Sequence, residues 1–358
     1  MRFVPKLLLS LVFAGASLTA SAASYSSMVV FGDSLSDPGN ALFLTKDIPF
    51  PGAGTLVLTS QGQNVDALGH FSNGPPAPEY MATALGLTTA LGWGAPPGGA
   101  GSATNFAVGG ALTGPDVING QQHLSNGAVP VLAVTGVMSQ VNMFVTSGLP
   151  FNPASTLFVI QGGGNDIFKA TTYAQANALS PAATNALYGA VVDNATNNLA
   201  GSITTLALSG AKNILWESLP DLGLTPESQA GGPAVQAGAS GLTDFFNSVL
   251  GLKIAGVIGG LAGNGIDVNI FGVDTAGFMR TYAANPGAAL SMTATNCVAA
   301  TDLPDCAGRF FFDTVHPTTA AHQLFANGLL AAAVPEPELW MLMLVGVGVV
   351  GLRARRRA

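Results

Sequence analysis

The chain is 358 residues long and has 19 acidic against 12 basic residues, a net charge of −7 at neutral pH. That balance argues against nucleic acid or an anionic membrane surface as partner, because either requires a basic face. Two cysteines, Cys297 and Cys306, lie close together; in an oxidising compartment they read as one disulfide, and no histidine cluster nearby supports the metal-site alternative.

In chain order the first element is a secretory signal peptide, residues 1–22. Arg2 and Lys6 give the positive start, Leu7 to Ala16 the apolar stretch, and Ala20-Ser21-Ala22 a small-residue exit. A buried first helix would not need that order. The strand Ser27–Phe31 follows, an apolar β-branched run ending at a glycine, as in a buried parallel strand. Ala103–Val108, Thr156–Gln161, Asn213–Glu217 and Asp267–Phe271 read the same way. Between them the pattern predicts helices over Pro78–Leu85, Val131–Ser147, Ala183–Leu208, Leu242–Leu261 and Thr318–Ala333. Such alternation predicts an α/β domain with a parallel sheet covered on both faces. Pro49–Gly69, Pro226–Ser240 and Pro286–Asp305, rich in Gly, Pro and small residues, are expected to be surface loops. No repeat or low-complexity linker divides residues 26–332.

The chain closes with Val334-Pro335-Glu336-Pro337, the apolar run Leu339–Leu352, and Arg353, Arg355, Arg356 and Arg357. The run is short for a bilayer, which needs about 20 apolar residues, and the arginines should stay on the cytoplasmic side. This layout over residues 334–358 resembles the PEP-CTERM sorting signal of Gram-negative bacteria. The resemblance implies cutting by a membrane protease of the exosortase type; a retained membrane anchor is the alternative. Both ends together imply export across the inner membrane, to the periplasm, the cell surface or the medium. Without them six basic and 17 acidic residues remain, a charge of −11, and much of the apolar excess is gone.

Chemistry concentrates at two strings. Gly32-Asp33-Ser34-Leu35-Ser36-Asp37 follows the first strand, and Asp313-Thr314-Val315-His316-Pro317-Thr318 precedes the last helix. Ligand sites of open α/β sheets lie beyond the carboxyl ends of the strands, where Ser34 falls. Ser36 stands where the nucleophile elbow of ordinary lipases has its second glycine. Alone, Ser34 is equally well a helix N-cap. The three-residue spacing of Asp313 and His316 places both on one side of a turn. The carboxylate can then orient the imidazole while its other nitrogen takes a serine proton. Helix capping explains each of these residues singly but not the set. His70, His123 and His322 have no comparable partner in the sequence, and His322, on the last helix, reads as structural. Oxyanion donors are offered by Gly162-Gly163-Gly164-Asn165-Asp166 and by Asn105–Ala111, both at strand exits. A phosphate-binding reading of these glycines fails for want of a following Lys-Ser/Thr.

Taken in order, these blocks resemble the GDSL lipases and esterases, also called SGNH hydrolases. Supporting matches are His70-Phe71-Ser72-Asn73-Gly74-Pro75, Glu79-Tyr80 and Leu219-Pro220-Asp221-Leu222-Gly223. The resemblance implies a flavodoxin-like three-layer α/β/α fold with a parallel central sheet. It assigns Ser34 as nucleophile, His316 as base, Asp313 as orienting carboxylate, and Ser34, Gly110 and Asn165 as oxyanion donors, Gly109 being the alternative to Gly110. It implies hydrolysis of carboxylic esters with no metal or organic cofactor. Pro38 and Pro76-Ala77-Pro78 depart from the pattern beside the nucleophile and at the substrate entrance. An exopolysaccharide deacetylase shares this chemistry; a matrix protein that binds without hydrolysing does not need the full residue set.

Overall fold

A computed structural model of the chain describes residues 25–45, 49–50, 54–55, 65–92, 102–115, 135–285, 287–301 and 305–334. The signal-peptide and sorting-signal segments, His123 and most of Pro49–Gly69 lie outside these residues.

Six parallel strands form the central sheet: β1 (Ser27–Phe31), β4 (Thr88–Leu91), β5 (Ser102–Asn105), β6 (Thr156–Ile160), β7 (Asn213–Glu217) and β8 (Asn269–Val273), in the order β4-β5-β1-β6-β7-β8. A separate pair, β2 (Pro49–Phe50) and β3 (Gly54–Thr55), is antiparallel. β1 sits in the middle, with Met28 opposite Ala103 on one side and Leu157 on the other. The chain leaves β1 for one edge and returns to build the other. The order therefore reverses at β1, and the crevice opens beyond its carboxyl end.

The two-residue period of the strands divides their apolar side chains between two faces. Val29, Phe31, Phe158, Ile160 and Ile214 pack on one side with α3 (Val137–Thr146), α5 (Pro181–Leu208) and α7 (Pro233–Gly263). Met28, Val30, Leu157, Val159 and Leu215 pack on the other with α2 (Ala77–Ala84) and α9 (Thr319–Ala333). All five residues of β6 are buried, as a central parallel strand requires. The three-layer α/β/α arrangement is the expected one. Tyr25 Oη donates to the Ala333 carbonyl at 2.8 Å, joining the first described residue to the last helix.

Some expectations need correction. Pro226–Ser240 is not a loop: α6 (Pro226–Ala230) and the first two turns of α7 occupy it. Its glycines and prolines read as breakers, yet both prolines stand in the first helical turn, where the missing N–H costs nothing. Thr225 caps α6 by accepting from Ser228 N–H. The edge strand β4, the short α1 (Asn40–Thr45), α4 (Gly164–Ala176) and α8 (Thr275–Ala283) were not anticipated. α4 begins inside the glycine run read as a strand exit, and Gly163 caps it with φ +113°. By length and composition α7 could cross a bilayer, but Phe246, Leu250, Ile254 and Leu261 bury one stripe of it in the core.

Candidate active site

Ser34 lies in a tight turn after β1, closed by Ser36 N–H donating to the Asp33 carbonyl at 3.1 Å. It is not the helix cap that its position also allowed: α1 starts at Asn40, and Asp37 caps it by accepting from the N–H groups of Gly39, Asn40 and Ala41. The turn is fixed by amide side chains. Gln140 accepts from Gly32 N–H at 2.9 Å and donates to the Gly32 carbonyl at 2.8 Å. Gln161 donates to Asp33 Oδ2 at 3.0 Å and accepts from Asp33 N–H at 3.3 Å. Asn105 donates to the Ser36 carbonyl at 2.7 Å, and Asn40 donates to the carbonyls of Asn105 and Ala107. Each of these buried amides hydrogen-bonds backbone groups around the turn.

Asp313 and His316 lie on the connection between α8 and α9. The loop is pinched by Phe312 N–H donating to the His316 carbonyl at 2.8 Å and by Thr318 N–H donating to Phe310 at 2.8 Å. Asp313 Oδ1 accepts from the N–H groups of Val315 and His316. Its Oδ2 lies 2.8 Å from His316 Nδ1, and His316 Nε2 lies 2.9 Å from Ser34 Oγ. A carboxylate on Nδ1 fixes the tautomer, so Nε2 accepts from the serine hydroxyl. Burial would raise the Asp313 pKa, but the His316 charge and the loop's hydrogen bonds outweigh it and hold the carboxyl below its ordinary value. The structure thus brings together three residues that the sequence separates by up to 282 positions.

The glycine turn after β5 and the start of α4 face the same space. Gly109 N–H donates to Asp37 Oδ2 at 2.7 Å, and Gly110 takes φ +80°. Asn165 donates to the Ala111 carbonyl at 3.0 Å with one of its two amide hydrogens. Asp166, the next residue, accepts from both Thr113 N–H and Thr113 Oγ1, which ties α4 to the loop after β5. Cys297 and Cys306 are disulfide-bonded, and Cys297 N–H and Val298 N–H donate to Phe311 and Phe312. The bond therefore fastens the strand of loop that enters the Asp313–His316 turn, as expected.

A cavity of about 1120 Å³ opens over these groups, with Ser34, Gly110, Asn165 and His316 in its wall. Ala77 and Pro78 line it too, at the expected entrance, although they begin α2 rather than a loop. Glu217, at the end of β7, reaches the cavity with no hydrogen-bond partner among the described residues. Burial, helped by the Asp33 charge, pushes its pKa up to about 8. His322 is buried, with its pKa pushed down to about 3 by burial and by the charges of His316 and His70.

Sequence reasoning missed the positioning roles of Asp37, Gln140 and Gln161, of which Gln161 also lines the cavity. It also gave His70 no partner, whereas Asp66 and Glu79 flank it at 2.7 and 3.4 Å. The available signal was Asp66 four residues before His70.

Three comparisons bear on this arrangement. The profile of the GDSL-like lipase/acylhydrolase family matches residues 28–329. Esterase EstA of Pseudomonas aeruginosa is 29% identical over 90% of the chain, and the thermolabile hemolysin of Vibrio parahaemolyticus is 24% identical over 86%. The chain spans 49% and 63% of those two proteins. Among solved structures, phospholipase A1 from Streptomyces albidoflavus is 18% identical, with a TM-score of 0.42 over 86% of this chain and all of its own.

Proposed function

The chain belongs to the GDSL-like lipase/acylhydrolase family, and from that premise we propose that it hydrolyses carboxylic esters through an acyl-enzyme on Ser34. One observation carries the reading: the unbroken path from Ser34 Oγ through the His316 ring to Asp313, with links of 2.9 and 2.8 Å, in the wall of a large cavity. Ser34 attacks the ester carbonyl while His316 Nε2 takes its proton. Asp313 holds the ring and stabilises the imidazolium. His316 then protonates the leaving alcohol, and a water molecule activated by the same ring releases the acid.

The developing oxyanion is received by Ser34 N–H, Gly110 N–H and the Asn165 amide. Gly109 N–H is held by Asp37, and Gly109 and Gly110 both line the cavity. Asn165, tied to Ala111, is held rigidly, and a preorganised donor needs no reorientation as charge develops.

Export fits the disulfide, which persists in oxidising compartments, and fits the esterase and hemolysin names of two relatives. We assign the ends of the chain to secretion and to sorting by a protease of the exosortase type. The cavity, larger than a small acetyl ester fills, favours esters with a sizeable acyl or alcohol part.

The test is hydrolysis of p-nitrophenyl esters from acetate to palmitate by the wild type and Ser34→Ala. Turnover should fall by about 10⁴-fold or more in the variant with the melting temperature little changed. A variant that keeps its activity would remove Ser34 from the mechanism. A wild type active on acetate alone would move the substrate toward acetylated sugars.

A further inference from the structure

We propose that His70, bracketed by Asp66 and Glu79, is a positioning residue that holds His316 and the glycine turn in register; the proposal rests on the esterase reading of the site. His70 is almost fully buried, its side chain 3% exposed. Nδ1 lies 2.7 Å from Asp66 Oδ2 and Nε2 3.4 Å from Glu79 Oε1. Asp66 also accepts from the N–H groups of Leu68 and His70 through Oδ1, and its own N–H donates to the His70 carbonyl. Glu79 stands in the first turn of α2. The imidazole therefore joins a self-closed loop to a helix of the domain.

The three residues after His70 contact His316 or the backbone that follows it. The Phe71 ring lies 5.4 Å from the His316 ring, centroid to centroid. It also presses on the glycine turn so closely that a Cβ on Gly109 would fall 2.1 Å from it. Ser72 Oγ donates to the Pro317 carbonyl at 2.9 Å, and Asn73 Oδ1 accepts from Thr319 N–H at 3.0 Å. Phe71 is thus wedged between the base and Gly109 of the glycine turn, and Ser72 and Asn73 pin the backbone just after His316.

The bracket requires a cation. A neutral imidazole donates one hydrogen bond and turns a lone pair toward the other carboxylate, whereas the protonated ring donates to both. Burial alone would lower the His70 pKa, but Glu79 and Asp66 together outweigh it and hold the ring above its ordinary value. The remaining titratable group coupled to it is His322 on α9, whose charged form both His70 and His316 disfavour and which stays neutral. With the pKa raised on folding, the bracket is complete below the unfolded value and is lost as pH rises through the folded one. Ester hydrolysis needs His316 neutral and His70 charged, so activity has an alkaline limit set away from the reacting atoms.

The experiment compares the full chain with His70→Gln and His70→Arg, measuring kcat and KM on p-nitrophenyl butyrate from about pH 6 to about pH 10. The glutamine variant should lose about tenfold in kcat with KM within about twofold, as a displaced base would. The arginine variant, permanently charged, should keep kcat and hold it at alkaline pH where the wild type declines. Wild-type kcat in His70→Gln overturns the proposal, and so does an alkaline decline shared by the wild type and His70→Arg. Should His70→Gln fail to fold, the alkaline limb of His70→Arg decides. Nitrogen-15 resonances of the His316 ring give a readout without turnover: they should shift as His70 titrates in the wild type and not in His70→Arg. Wild-type turnover unaffected by Ser34→Ala would instead sink the esterase mechanism and leave that spectroscopic test standing.

Discussion

The site has two halves built on different principles. Ser34, Gly110 and Asn165 come after β1, β5 and β6, neighbouring strands of one sheet, and amide side chains from α3, β5 and α4 fix the turns between them. His316 and Asp313 come from a long connection outside the sheet, held by a disulfide, a backbone pinch and the Phe71–Asn73 strap. A sheet edge delivers groups at fixed spacing as a by-product of its own pairing. A loop must be fastened from several sides before it can place a side chain to a fraction of an ångström. The sheet half is therefore the rigid reference, and the loop half is where activity can be tuned without touching a reacting atom.

The largest difference should appear on the sheet half. Asn165→Ala should lower kcat by about 10²–10³-fold if the amide receives the oxyanion, while chemical denaturation shifts little; an unchanged kcat assigns that role elsewhere and weakens the contrast. On the loop half, replacing Cys297 and Cys306 together by serine opens a crosslink spanning nine positions. Stability should fall by about 2–3 kcal/mol, with kcat at 25 °C within about threefold of wild type. A kcat loss as deep as that of Asn165→Ala would show that the pinch and strap cannot hold the loop alone. The smallest effect belongs to Glu217, in the cavity wall at the end of β7. Its carboxyl has a raised folded pKa, so the stability it permits is present below the ordinary glutamate value and falls as pH rises toward about 8. Glu217→Gln removes that slope. The melting temperature should rise by about 2–4 °C at alkaline pH, the shift that about 1 kcal/mol gives, and hardly at all in mild acid. Equal shifts at both pH values would place the charge of Glu217 in water.

Much of the rigid half was legible in the sequence. Ser27–Phe31 and Asn213–Glu217 were read with the bounds they have in the structure, and Thr156–Gln161 with one residue too many. These strands are buried on both faces and show as continuous apolar runs. Strands with weaker patterns were read less well. Asp267–Phe271 starts two residues before the observed β8, whose side chains are mostly part-exposed, and the edge strand Thr88–Leu91 gave no signal. α7 was half seen, because its first turns contain small residues that periodicity cannot distinguish from a loop. Ser34, Asp313 and His316 stood out because three chemically complementary residues sat at two suggestive strings. Gln140, Gln161 and Asp37 did not, because their task is to satisfy backbone groups, and which backbone groups lack partners is known only once the chain is folded. The bracket around His70 escaped for a related reason: Glu79 reaches it through the packing of α2.

The distance along the chain between Ser34 and His316 has a consequence for biosynthesis. A ribosome that has made everything up to Val315 has made Ser34, both glycine turns, all six strands of the sheet and four of the five helices that cover it, yet not His316. Closure waits further, for α9 to dock and for Tyr25 to meet Ala333 at its far end. On the proposed mechanism, chains that stop before His316 lack the base and should not turn over ester. Under that mechanism, activity therefore reports that the connection carrying His316 has been made and has docked on the sheet.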